Sequence, residues 1–172
     1  PDYYNSAQGF PPISKKDYYN LMQSFFSKFE NSFNCKIIIS AHPKSSINEI
    51  KKKFPKYKVF QGNTHNLVKN SNYIIGHAST SISYPVLFNK PIIFVSFLKI
   101  KNHFVGREIN MTSKLLNSNI INIDKKFNLK NYKFSLNKLK YKSYINNFLK
   151  HPKSNNYSFD KIFKYKLKFI KL

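Results

Sequence analysis

Five short apolar runs, separated by segments with helical periodicity, constrain the fold of this chain more than any other feature. A continuous apolar run of this length is typical of a β-strand that is covered on both faces. Strands that alternate with helices form parallel sheets, because a crossover between parallel strands needs a helix-sized segment. The sequence therefore predicts an α/β fold, an open parallel sheet with helices on both faces. The predicted strands are 36–40, 58–61, 72–75, 91–97 and 120–123.

The remaining segments divide the chain into three parts. Ser14, with Asp17 three residues later, forms a variant of the capping box, and the apolar residues from Tyr18 to Phe33 have helical spacing, which predicts a first helix facing the core. We expect residues 1–13 to be an extended segment leading from an N-terminal domain outside this chain. Residues 14–135 would form a Rossmann-like domain, and 136–172 appended helices rich in lysine and aromatic residues. Further helices are predicted over 46–54, 64–70, 79–88, 111–116, 136–149 and 159–170.

The chain is strongly basic, with 30 basic and 7 acidic residues and a formal charge of +23, but Arg107 is its one arginine. Lysine, asparagine, isoleucine, phenylalanine and tyrosine dominate the composition, as an AT-rich coding bias would produce. Paired hydrogen bonds to phosphates and bases favour arginine, so the composition argues against nucleic acid as a partner. Lysine-rich helices with aromatic residues suit an anionic membrane surface better. A basic module that binds nucleic acid or anionic membrane stays open as an alternative.

Several kinds of catalytic and metal site have no signature in this sequence. Cys35 is the single cysteine, which excludes an internal disulfide and a cysteine metal cluster. No zinc motif and no glycine-rich dinucleotide or phosphate loop occurs, so we expect neither a metal nor a cofactor. The seven carboxylates form no pair near the strand exits, and Ser79 lacks the GxSxG setting of a serine nucleophile. His103 is expected to be solvated.

Polar residues follow three of the predicted strands, at the edge where parallel α/β sheets bind ligands. His42 precedes a proline, which favours an extended backbone, and its imidazole could donate a hydrogen bond to a phosphate or act as a general acid. The hydroxyl residues after the third strand are suited to phosphate at a helix start, although a simple helix cap has the same composition. The candidate residues are His42, Pro43, Lys44, Gly62, Asn63, Thr64, His77, Ser79, Thr80 and Ser81.

Two of these stretches together resemble a known family. The HP motif in IIISAHPKS and the ST motif in IIGHASTSISYPVLFNKPIIF resemble the C-terminal, donor-binding half of GT-B glycosyltransferases that build bacterial surface polysaccharides. They are similar to motifs of bacterial sialyl- and polysialyltransferases, Kdo transferases and teichoic-acid glycerophosphotransferases. The resemblance implies transfer of a sugar from a CMP-, CDP- or UDP-linked donor to a glycan or lipid-linked acceptor. It also implies a cytoplasmic protein, peripheral at the inner membrane, in which 14–135 binds the donor.

The resemblance also implies roles for individual residues. His42 would contact the donor phosphate or act as general acid, and the acceptor site and catalytic base would lie in an N-terminal domain that this chain does not contain. The chain could then bind a nucleotide without catalysing transfer. A nucleotide-sugar epimerase of the same architecture is the alternative enzyme. The implied phosphate ligands are His77, Ser79, Thr80 and Ser81, and the implied nucleotide contacts are Pro43, Lys44, Gly62, Asn63 and Thr64.

Overall fold

The computed structural model describes residues 13–132, 134–150 and 153. Within this part the chain is α/β, with parallel strands flanked by helices, as the alternation of apolar runs and helical segments predicts. Residues 1–12 of the extended segment expected over 1–13, and the whole helix expected over 159–170, lie outside the described residues. The described chain has no helix that is both long and apolar enough to cross a membrane.

All five predicted strands are present, and every pairing between them is parallel. The first two pair with each other, so that Ile39 lies opposite Val59. The last three form a second sheet with the fourth strand in the middle, where Ile93 lies between Ile75 and Asn119. Backbone hydrogen bonds thus define a two-stranded and a three-stranded sheet, where the sequence suggested one. The strands are β1 (Ile38–Ala41), β2 (Lys58–Gln61), β3 (Ile74–Gly76), β4 (Ile92–Ser96) and β5 (Asn119–Asn122).

The first helix begins as its capping pattern predicts, because the Ser14 hydroxyl accepts a hydrogen bond of 3.0 Å from the Asp17 amide. It ends at Asn34, which has a left-handed backbone with φ of 45°. Ser46 caps the second helix in the same way, through the Glu49 amide. The helices are α1 (Lys15–Phe33), α2 (Ile47–Lys53), α3 (Thr64–Lys69), α4 (Ser83–Leu87), α5 (Phe104–Leu116) and α6 (Lys138–Tyr144).

Three predicted helices have different limits in the structure. The segment 79–88 is a 3₁₀ turn, Thr80–Ile82, followed by the short α4. Helix α5 starts at Phe104 rather than at 111, because the His103 ring nitrogen Nδ1 accepts a hydrogen bond from the Val105 amide and caps the helix. The prediction that His103 is solvated was therefore wrong: its ring is half-buried and contacts Phe104. Helix α6 continues into a π-helical turn over Ile145–Leu149.

The core is built around β4, whose five residues are all buried. Because successive side chains of a strand point to opposite faces, complete burial means that both faces of β4 are covered. Helix α1 contributes the aromatic face predicted from its spacing, including Phe25 and Phe29, and α5 contributes Ile109 and Leu116. Helix α6 is joined to this core by Tyr141, whose hydroxyl donates a 2.8 Å hydrogen bond to the Lys90 carbonyl.

Among the glycines of the described residues, Gly106 is packed most closely against the backbone of neighbouring residues. A Cβ atom at this position would collide with the backbone carbonyl of Ile100 and lie 3.1 Å from that of Lys101. Backbone atoms cannot move aside as a flexible side chain can. At Gly76, in contrast, an added Cβ would meet only the Cδ1 atom of Ile82, at 3.3 Å.

We therefore expect Gly106→Ala to lower the free energy of unfolding by about 3 kcal/mol, at the upper end of the usual cost of overpacking. Gly76→Ala is the matched control and should cost under about 1 kcal/mol, because the Ile82 side chain can rotate away. Urea unfolding followed by circular dichroism measures both. Equal losses in the two variants would contradict the close approach at Gly106.

Candidate functional site

The loop that follows β1 is held in place by Gln61, the last residue of β2. The Gln61 amide nitrogen Nε2 lies within hydrogen-bond distance of three carbonyl oxygens, those of His42 at 2.9 Å, Pro43 at 3.1 Å and Ser45 at 2.9 Å. The Ser45 amide also donates to the His42 carbonyl at 2.9 Å, which closes the loop as a turn. Gln61 begins the strand exit that contains Gly62, Asn63 and Thr64, but it was not predicted to be a site residue. The feature that could have identified Gln61 is its position at the end of a strand that runs parallel to β1.

The geometry of this loop determines the tautomer of His42. The ring nitrogen Nδ1 lies 3.1 Å from the backbone amide of Lys44, which can only donate. Nδ1 is therefore the acceptor, and the proton of the neutral ring is on Nε2. The His42 side chain is exposed. The structure thus provides a hydrogen-bond donor at the carboxyl end of β1, in a loop that is attached to β2.

The residues after β2 are joined to β1 by a second contact. The hydroxyl of Thr64, the first residue of α3, lies 2.7 Å from the hydroxyl of Ser40 in β1. Gly62 has a φ of 80°, a left-handed conformation that favours glycine, and Asn63 accepts a 2.7 Å hydrogen bond from the Asn66 side chain. The structure therefore brings Gly62, Asn63 and Thr64 to the same edge as His42, Pro43 and Lys44.

The hydroxyl residues after β3 lie at the start of the 3₁₀ turn. The Ser79 oxygen accepts a hydrogen bond of 3.2 Å from the Ser81 amide, which caps the turn. Because the oxygen is the acceptor, the hydroxyl proton of Ser79 can still be donated to another group. Ser79, Thr80 and Ser81 are all exposed. Capping and phosphate contact, the two interpretations of this motif, are therefore compatible at Ser79.

His77 differs from the other candidates because both of its ring nitrogens are occupied. Nδ1 lies 2.9 Å from the Val95 carbonyl, which can only accept, so Nδ1 carries the proton. Nε2 lies 3.3 Å from the Tyr18 hydroxyl, and the ring stacks on Phe97 at 6.0 Å. Burial lowers the pKa of His77 to about 4, and the hydrogen bond to Val95 only partly opposes this change. His77 is therefore neutral at pH 7 and joins β3 to β4 and α1.

The two groups of candidates are linked by helix packing. Helix α3, which follows β2, packs beside α4, which follows the hydroxyl residues, and the rings of His65 and Tyr84 are 6.4 Å apart across this contact. In the described part of the chain, the hydrogen bonds of His42 stay within its own loop and Gln61, and none reaches Ser79. The structure thus places both groups at strand exits without joining them directly.

A shallow cleft lies at the carboxyl ends of β4 and β5, next to the start of α1. It has a volume of about 300 Å³, and Asp124, which accepts a 2.7 Å hydrogen bond from the Leu98 amide, forms part of its wall. Asp124 follows the fifth strand, so its position at the ligand-binding edge could have been found by the rule that identified His42. The cleft is lined by Ile13, Asp17, Asn20, Leu21, Lys99 and Asp124.

No group of three or more histidine, cysteine or carboxylate side chains that could hold a metal ion occurs among the described residues. In comparisons with known proteins, the chain matches no family model, no curated protein and no solved structure. The candidate site is therefore described by its own geometry.

Gln61→Leu tests whether the side chain of Gln61 holds the His42 loop. We expect a loss of about 1–2 kcal/mol in the free energy of unfolding, because three carbonyl groups lose their shared donor. Gln23→Leu is the matched control, since the Gln23 side chain donates to one carbonyl, that of Lys53, at 2.7 Å. Urea unfolding gives both values, and hydrogen exchange should increase at the Ser45 amide in Gln61→Leu alone. An unchanged free energy of unfolding in Gln61→Leu would refute this role of Gln61.

His77 should make the stability of the fold depend on pH. Its pKa is about 4 in the folded chain and about 6.5 in the unfolded chain, so between these values the unfolded chain binds the extra proton. Stability is therefore complete above pH 6.5 and falls as the pH is lowered towards 4, by up to about 3 kcal/mol.

Urea unfolding of the wild type and of His77→Asn at pH 7 and pH 4.5 measures this effect. Asparagine keeps a donor for Val95 but does not titrate, so the variant should lose less stability on acidification than the wild type. His65→Asn, at an exposed site, is the control and should keep the wild-type pH dependence. Identical pH dependence in the wild type and His77→Asn would show that the folded chain does not hold His77 as a neutral ring.

Proposed function

We propose that this chain is the donor-binding part of a glycosyltransferase that takes a sugar from a CMP-, CDP- or UDP-linked donor. The acceptor would be a surface polysaccharide or a lipid-linked glycan. The motif resemblance of the two strand exits suggests the reaction, and their positions at the carboxyl ends of parallel strands are consistent with it. The acceptor site and catalytic base would come from a domain outside this chain.

The observation that carries the proposal is the 3.1 Å hydrogen bond from the Lys44 amide to Nδ1 of His42, which leaves Nε2 as the donor of the neutral ring. The Lys44 amide determines this tautomer, and Gln61 holds the loop, so a donor is available without any rearrangement. A phosphate oxygen of the donor nucleotide would accept this hydrogen bond. In the transferase reaction, the same nitrogen would stabilise the negative charge that develops on the phosphate as the bond to the sugar breaks.

The hydroxyls of Ser79 and Thr80 would bind the remaining phosphate oxygens. Both side chains are exposed, and the Ser79 hydroxyl proton can be donated while its oxygen caps the turn. His77 has a different role in this proposal from the phosphate contact expected from the sequence. Its nitrogens are already bonded to Val95 and Tyr18, so it would position the β3 exit instead of contacting the donor.

Binding of CMP, CDP and UDP to the 172-residue chain, measured by isothermal titration calorimetry, tests the proposal. We expect His42→Ala and Thr80→Ala each to weaken binding by about tenfold or more, because each removes a hydrogen bond to a charged phosphate. His65→Ala is the matched control, since it removes an exposed histidine from the neighbouring helix α3 and should leave the affinity unchanged.

Equal affinity in the wild type, His42→Ala and Thr80→Ala would reject the donor site. A longer protein that also contains the proposed acceptor-binding domain would separate the two enzymatic alternatives. A transferase consumes the nucleotide sugar only when an acceptor is present, whereas an epimerase converts it to another nucleotide sugar without one.

A further inference from the structure

A second cleft, which shares no residue with the two strand exits, collects lysines from two helices. It lies between the first turns of α1 and the end of α2 and has a volume of about 440 Å³. No aspartate or glutamate occurs among the described residues that line it. These residues are Lys15, Lys16, Tyr19, Asn20, Gln23, Lys52, Lys53 and Pro55.

Specific contacts hold the two walls of this cleft together. The Gln23 side chain of α1 donates a 2.7 Å hydrogen bond to the Lys53 carbonyl at the end of α2. The Tyr19 ring packs edge-on against Phe54, with 5.4 Å between the ring centroids, and against Tyr18, with 5.3 Å. The Lys53 ammonium lies over the Tyr19 ring, 5.8 Å from its centroid. The lysines of α1 and α2 are therefore brought to one cleft by packing between the helices.

A favourable interaction with the helix dipole explains the positions of only two of these four lysines. Lys52 and Lys53 are in the last turn of α2, where positive charges interact favourably with the helix dipole. Lys15 and Lys16 are the first two residues of α1, where positive charges face the positive end of the dipole and are unfavourable. Asp17, which suits that end, lines the other cleft. The placement of Lys15 and Lys16 thus works against the helix they begin.

We infer that this cleft binds a ligand with two or more adjacent phosphate groups, either a soluble oligophosphate or the phosphorylated headgroup of a lipid. Ammonium groups from two helices around one cleft of about 440 Å³ create a positive local potential, and adjacent phosphates carry the complementary negative charge. Lysine binds phosphate as a point charge and needs no bidentate geometry. Asn20 and Gln23 add polar groups to the wall.

Nucleic acid fits this cleft less well. The lining has no arginine, and its one aromatic ring, Tyr19, is half-buried and packed against Tyr18 and Phe54. Bases therefore have no open ring face to stack on, although stacking supplies much of the binding to single strands. The inference does not depend on the proposed function, because none of its residues belongs to the strand exits.

Titration of the 172-residue chain with tripolyphosphate tests the inference. The Lys16→Ala/Lys52→Ala double variant should bind about tenfold more weakly than the wild type, which corresponds to the loss of two ion contacts. Lys138→Ala/Lys140→Ala is the matched control: it removes the same charge from exposed positions of α6 and should change the affinity less than about twofold. Lys16→Arg/Lys52→Arg should keep most of the affinity.

A second arm identifies the source of the phosphates. Vesicles that contain a lipid with a diphosphate headgroup are compared with phosphatidylglycerol vesicles of equal surface charge. Cleft-dependent binding to the diphosphate vesicles indicates a lipid headgroup, and cleft-dependent binding to tripolyphosphate alone indicates a soluble ligand. Equal weakening in both double variants, absence of cleft-dependent binding to both tripolyphosphate and the diphosphate vesicles, or tighter cleft-dependent binding of single-stranded RNA would overturn the inference.

Discussion

The structure depends on the complete burial of β4. Residues Ile92 to Ser96 form the middle of the three-stranded sheet and have no exposed face, so helices must cover them on both sides. Removal of this apolar surface from water is the main favourable contribution to such a core. The aromatic face of α1 and the apolar residues of α5 pack in the same core cluster, and Tyr141 joins α6 to the chain just before β4.

The same constraint places the polar groups of the molecule. The neighbours of β4 run parallel to it, so β3 and β5 end at the same edge as β4 itself. His77 follows β3, and its hydrogen bond to the Val95 carbonyl connects that exit to β4. Asp124 follows β5 and accepts a hydrogen bond from the loop after β4. The β1–β2 pair repeats this arrangement with Gln61 and the loop of His42.

The lysines illustrate a distinction between composition and position. A high lysine content follows from the composition of the whole chain and by itself identifies no partner. Lys138 and Lys140 are exposed on the single helix α6, whereas Lys16 and Lys52, which are also exposed, come from different helices and line one cleft. Lys16 and Lys52 come from separate elements, and Lys16 has an unfavourable position at a helix start. These two properties distinguish a candidate anion site from a solvated surface.

The sequence by itself determined the features that depend on near neighbours. The cap at Ser14 and the apolar face of α1 involve residues within one or two turns, and the five strands follow from short apolar runs. The position of His42 at a strand exit also follows from the sequence, because His42 comes directly after the apolar run that forms β1.

Only the tertiary structure decided the features that depend on residues far apart in the chain. Gln61 meets the carbonyl of Ser45, 16 residues away, and His77 meets Tyr18, 59 residues away. The early start of α5 required the His103 cap and a glycine at the close approach to Ile100. Local propensity carries no information about such contacts, because their partners are selected by the packing of helices against the buried strand.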